Sequence, residues 1–175
     1  SWREGIVAEA FPVDNQGFQA HVNSVLKDKE QNILVCANQE ACVLDLEKHR
    51  PVKITNLPYP KENFPESVFS ENFERFPVQI EESDFKYEQK IYSQHIDMSY
   101  HMNNIEYIKL ALNIFSNDFL LHNEVSSLEV HFTGESREGE NLRVYSRNLD
   151  GSFFIFIKES ERTVFEMKIE FQSSL

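Results

Sequence analysis

The run Asp97-Met98-Ser99-Tyr100-His101-Met102-Asn103-Asn104 gathers an aspartate, a histidine and two asparagines just ahead of an apolar stretch, residues 105–115. In that stretch the polar residues Glu106, Lys109 and Asn113 are three and four apart and form one narrow stripe. This predicts a helix buried on most sides. The polar run then lies at the helix N-terminus, where unsatisfied N–H groups carry a partial positive charge. Such an end can polarise a carbonyl oxygen as it becomes an oxyanion. The same residues also suit a structural use, with Asp97 and Asn104 capping the turn and helix while His101 packs. His95-x-Asp97 with the distant His131 has the spelling of a two-histidine, one-carboxylate metal site. Asp97 already belongs to the longer run, so no metal and no cofactor is expected.

The elements that would hold this run follow from the patterning. Residues 85–95 read as a strand, the helix follows, and four strands are predicted at 125–136, 142–149, 152–159 and 163–172. Asp150-Gly151 between the second and third of these is a hairpin signal. The economical packing is α+β: an antiparallel sheet wrapped around one central helix. Residues 1–57 read differently, as three strands at 5–11, 17–27 and 33–46 joined by polar turns, with no helix to cover them. Between the two, residues 58–84 hold Pro58, Pro60, Pro65 and Pro77, many acids, and Phe64, Phe69, Phe73 and Phe76. This segment reads as a linker lying on a surface and pinned by its aromatics.

Composition removes several classes. Hydrophobic residues are 41% and charged residues 26%, with 15 Phe and only five Gly, which argues against disorder. No apolar run approaches the roughly 18–20 residues that span a bilayer, and no signal peptide is visible at Ser1-Trp2-Arg3-Glu4-Gly5. The net charge is −12 and is spread along the chain. Without a basic run, nucleic acid and anionic membrane are not expected as partners. Cys36 and Cys42 sit on one predicted strand, roughly 20 Å apart, beyond disulfide reach. Reduced cysteines fit a cytoplasmic protein.

The segment from Asp97 to Asn104, with Ile105-Glu106-Tyr107-Ile108 after it, resembles the signature of the acyl-acyl-carrier-protein (acyl-ACP) thioesterase family of plants and bacteria. The family pattern is Asp-x-Asn-x-His-Val-Asn-Asn before a hydrophobic helix. Glu135-Ser136 stands about 34 positions after His101, where the family has a Glu, often followed by Cys. Residues 41–51, ending in Asp45-Leu46-Glu47-Lys48-His49-Arg50-Pro51, resemble the strand and turn that close the family's first domain. Two departures stand out: Ser99 replaces the family Asn, and Ser136 the frequent Cys.

The resemblance implies two hotdog domains. Residues 85–175 would be a complete catalytic hotdog, and residues 1–57 the later strands of a first one, in an N-terminally truncated chain. It implies hydrolysis of long-chain acyl-ACP to free fatty acid, in fatty acid biosynthesis. His101 and Glu135 would activate water, with Asp97 and Ser99 in the site. Backbone N–H groups near Asn103 and Asn104 would hold the oxyanion, and the Phe-rich interior the acyl chain. The partner would be acyl carrier protein, an acidic protein, for which Arg137, Arg143, Arg147 and Arg162 are candidate contacts; a homodimer is left open. The alternative is an acyl-binding hotdog that has lost activity. Strand parity puts Glu135 on the face opposite Leu128, Val130 and Phe132, so Gly134 must mark a bulge if Glu135 is to reach the site.

Overall fold

A computed structural model describes residues 5–14, 17–45, 48, 50–57 and 75–173. The chain divides into two compact units, Ser1–Phe73 and Glu74–Leu175.

In the first unit, β1 (Val7–Asp14), β2 (Gln19–Lys27) and β3 (Ile33–Cys42) form an antiparallel meander in that order. The β2–β3 turn is closed by Asp28, whose Oδ1 accepts from the Asn32 N–H at 2.8 Å. β1 does not stop before Pro12. It lies at the sheet edge, where a missing N–H is tolerated, and its register shifts between Pro12 and Asp14. Nor is the third strand continuous to residue 46. The ladder breaks at Val43, whose carbonyl accepts from Val52, and a two-residue pairing follows between β4 (Leu44–Asp45) and β5 (Arg50–Pro51). A 3-10 turn at Ile54–Asn56 comes next. Among the described residues this unit has no α-helix. The buried apolar side chains among those residues are Ala20, Val25 and Ile54, while Ile33, Leu34 and Val35 are each more than half exposed. Cys36 and Cys42 both lie on β3 as free thiols.

In the second unit, β6 (Phe85–Lys90), β7 (Asn123–Phe132), β8 (Asn141–Leu149), β9 (Ser152–Glu159) and β10 (Arg162–Ser173) form an antiparallel sheet ordered β6-β8-β9-β10-β7. Helix α1 (Asn104–Leu112) contributes Tyr107, Leu110 and Ala111 to a core with Leu142, Val144, Ile155, Ile157, Phe165 and Met167. Ile108 and Leu112 are partly buried against the same cluster, and Lys109 and Asn113 are exposed. Ile105 departs from the expected pattern. It sits on the first turn, outside the core cluster, and is 49% exposed. The hairpin at Asp150-Gly151 takes positive φ at both residues (51° and 89°), as the β8–β9 turn requires.

Three boundaries differ from those predicted. β6 stops at Lys90, because residues 93–95 turn into a 3-10 helix closed by the His95 N–H on the Tyr92 carbonyl. α1 stops at Leu112, and a second helix, α2 (Asn117–His122), starts where Ser116 Oγ accepts from the Phe119 N–H at 3.1 Å. Phe115 and Phe119 stack there and meet Phe153 and Phe171 edge-on. β7 ends at Phe132 rather than at 136. Of the linker aromatics, Phe76 stacks on His131 (4.5 Å between centroids) and meets Phe154 edge-on. Phe64, Phe69 and Phe73 lie outside the described residues.

Candidate active site

The loop ahead of α1 is tied at both ends. Ile96 and Met102 form an antiparallel bridge, the Asp97 N–H donates to the His101 carbonyl at 2.9 Å, and the Tyr100 N–H donates to the Asp97 carbonyl at 3.1 Å. Asp97 Oδ1 accepts from the Ser99 N–H at 2.8 Å, an Asx turn. Tyr100 takes φ = +63° to let the chain reverse. Asp97 therefore shapes the loop that presents His101, through its own backbone and carboxylate. The Ser99 side chain is exposed and makes no hydrogen bond with any described residue.

Glu135 arrives from the other side. At the end of β7 the N–H groups of Thr133 and Gly134 both donate to the Val164 carbonyl, at 3.0 and 3.1 Å. Two consecutive donors on one acceptor end the regular ladder and release the next residue from its parity, the geometry of a bulge. Gly134 leaves room for this close approach. A Cβ would lie 3.0 Å from Arg162 Nη1 and 3.2 Å from Val164 Cγ1. Arg162 Nη2 donates to the Glu135 carbonyl at 2.9 Å and fixes the released residue. The result is a His101 Nε2 to Glu135 Oε2 distance of 3.1 Å. The His101 side chain is 29% exposed and that of Glu135 66%, so the pair is open to a reactant. Beside it, Glu135, Arg137, Glu140 and Arg162 line an open cavity of about 450 Å³.

The two asparagines differ in what they offer. Asn103 Oδ1 caps α1 by accepting from the Ile105 N–H at 3.0 Å, and the Asn103 N–H is committed to the His95 carbonyl. Asn103 thus has no free backbone N–H for an oxyanion. The Asn104 N–H, on the first helical residue, donates to no described group. Ser136 does not face the cavity. It is fully buried, and its carbonyl accepts from the Met102 N–H at 2.8 Å, which joins the bulge to the loop. Its hydroxyl and that of Tyr107 are both buried without a hydrogen-bond partner among the described residues. Burial pushes the Tyr107 phenol up; Ser136 is near enough to oppose that shift without forming a well-aligned bond.

His95 and His131 are not brought together. His95 Nδ1 accepts from the Tyr92 N–H, whereas His131 lies between Glu129 (2.7 Å) and Glu166 (3.7 Å) under Phe76. Among the described residues no group of His, Cys, Asp and Glu is arranged to hold a metal. No helix among them is long and apolar enough to cross a membrane. Sequence reasoning took Arg162 for a carrier contact and missed its hold on Glu135, which spans 27 positions and carries no local signature.

An antiparallel sheet packed around one central helix is the hotdog fold. Residues 78–174, more than half of the chain, match the acyl-ACP thioesterase C-terminal domain, and the chain belongs to that family. Its fold is similar to an acyl-ACP thioesterase from Bacteroides thetaiotaomicron, with a TM-score of 0.79 at 15% identity over 97% of this chain and 69% of that one. It is likewise similar to the 12:0-ACP thioesterase from Umbellularia californica, with a TM-score of 0.82 at 14% identity over 99% of this chain and 70% of that one. No curated protein matches the sequence.

Proposed function

We propose that the chain hydrolyses the thioester of a long-chain acyl group carried on acyl carrier protein and releases free fatty acid. The observation that carries this reading is the 3.1 Å approach of His101 to Glu135 beside the N-terminus of α1. A water held by the pair loses a proton to it as its oxygen attacks the thioester carbonyl carbon. The pair holds the proton as imidazolium and carboxylate, which stabilise one another. The carbonyl oxygen gains charge against the free Asn104 N–H and the positive end of the helix. As the C–S bond breaks, the proton passes to the departing sulfur and leaves a thiol and a carboxylic acid. Exposed Leu128 and Phe132, on one face of β7, and Ile105 on the first turn of α1 supply apolar surface for the acyl chain.

Glu135→Gln keeps the shape and removes the charge. Steady-state kinetics on acyl-ACP should show kcat lowered by about 10²–10⁴-fold with KM little changed. Wild-type turnover in this variant would remove Glu135 from the mechanism. A second reading, acyl binding without turnover, is favoured by Ser99, whose hydroxyl touches neither His101 nor Glu135. Hydrolysis of a model acyl thioester by the unmodified chain rejects it.

A further inference from the structure

A chain of net charge −12 that receives an acidic carrier needs a local reversal of sign. The arginines of the second unit supply little of it. Arg143 pairs with Glu82, and Arg147 with Asp84 at 2.6 Å and with Glu81 at 3.7 Å. The Arg147 hydrogen bond holds the Asp84 carboxyl below the usual carboxylate range. Arg162 is spent on the Glu135 carbonyl and on Glu159 at 3.8 Å. Only Arg137 of the four keeps its guanidinium without a described acid.

The first unit shows the opposite balance over a short stretch, with Lys48, Arg50 and Lys53 against Asp45 and Glu47 in residues 45–53. Lys48, Arg50 and Lys53 line one concavity of about 550 Å³, with Asp45 as the acid among its described lining residues. Lys48 Nζ lies 3.3 Å from Asp45, while Arg50 and Lys53 form no ion pair with any described residue. The concavity has a fixed frame. The N–H of buried Ile54 donates to the Gly17 carbonyl at 3.0 Å, and that of Val52 to the Val43 carbonyl at 2.9 Å. Phe18, 44% exposed, gives it an apolar wall.

We propose that this cationic concavity is the docking surface for the acidic carrier protein that bears the acyl group; the inference rests on the hydrolase reading above. Charge complementarity selects the occupant. A long polyanion such as nucleic acid would meet the negative remainder of the chain, whereas a small acidic protein face can engage Arg50 and Lys53, with Lys48 shared with Asp45, at contact range. The exposed aromatic wall adds the apolar contact typical of protein interfaces.

The test uses the full chain with Lys48, Arg50 and Lys53 all changed to Glu. Binding of acyl carrier protein, followed by fluorescence anisotropy at low salt, should weaken by on the order of tenfold or more, and the residual binding should lose most of its salt dependence. KM for the carrier-borne thioester should rise in parallel, while kinetics on acyl-pantetheine, which lacks the protein, stay within about twofold. Equal binding of carrier by wild type and variant overturns the proposal, as does an equal loss on acyl-pantetheine. Should the triple variant fail to fold, Arg50→Gln with Lys53→Gln asks the same question with a smaller charge change. Carrier binding through this surface without hydrolysis of either substrate would refute the hydrolase reading and leave the docking surface standing.

Discussion

The two units are built on the same element, an antiparallel sheet of alternating side chains, and they bury very different amounts of it. In the second unit α1 covers the sheet, and Ile155, Ile157, Phe165 and Met167 are all fully buried. In the first, Ile33, Leu34 and Val35 run exposed along β3, and the buried set is small. A sheet closes its own hydrogen bonds but cannot remove its apolar face from water; a covering layer must do so. Catalytic geometry needs that rigidity, and the His101–Glu135 pair is found on the covered sheet. A docking surface needs only a fixed outline and a sign of charge, which the open sheet and its short turns provide.

The contrast is broken most directly by truncating one residue in each unit. Phe165→Ala should cost about 3–5 kcal/mol in urea unfolding followed by circular dichroism. Leu34→Ala should stay within about 0.5 kcal/mol. A loss at Leu34 as large as that at Phe165 would mean that the β3 face is covered in solution. A smaller and more local effect is expected at the bulge. Gly134→Ala places a methyl against Arg162 and Val164, and the flexible guanidinium yields first. Freed from Arg162, Glu135 should move off His101, and kcat should fall by about ten- to a hundredfold with little change in melting temperature. An unchanged kcat would show that Arg162 does not set the position of Glu135. The smallest effect, with a reversed sign, belongs to the unpaired hydroxyls behind the site. Tyr107→Phe removes a buried donor without a hydrogen-bond partner among the described residues, so thermal unfolding should show stability unchanged or raised by up to about 1 kcal/mol.

What the sequence disclosed depends on how far each signal reaches along the chain. Asp150-Gly151 needs only its own two residues to take positive φ, and the hairpin stands where predicted. The polar stripe of α1 is likewise local, and Lys109 and Asn113 face solvent. Helix ends were less legible. The apolar run continues to Phe115, but Asn113 turns back on Lys109 and Leu110, and Ser116 starts α2 after a break that periodicity does not register. Gly134 signalled an irregularity on β7, while the Val164 carbonyl and the Arg162 guanidinium that complete it lie on another strand. The arginines of β8 looked like a docking patch because their acids, Glu82 and Asp84, come from a turn some 60 positions earlier. Asn103 and Asn104 are indistinguishable as letters. Only the His95 carbonyl, taken up by one of them, separates cap from candidate oxyanion donor.

The position of β10 in the sheet imposes an order on how this site comes into being. β7 is made about 30 residues before β10, yet β10 is its one ladder neighbour among the described residues, and the Val164 carbonyl and Arg162 guanidinium that aim Glu135 both belong to β10. While the ribosome is still delivering β8 and β9, the loop with His101 and the helix behind it can already exist, and the Met102–Ser136 bond can tie the adjoining residue, but the two groups that aim Glu135 itself are not yet made. Inserting β10 between β9 and β7 closes the long loop, which is the slow, non-local kind of step in sheet assembly. Until that insertion is complete the His101–Glu135 pair is not held in place, so the proposed site is assembled by a long-range step and not by the loop and helix alone.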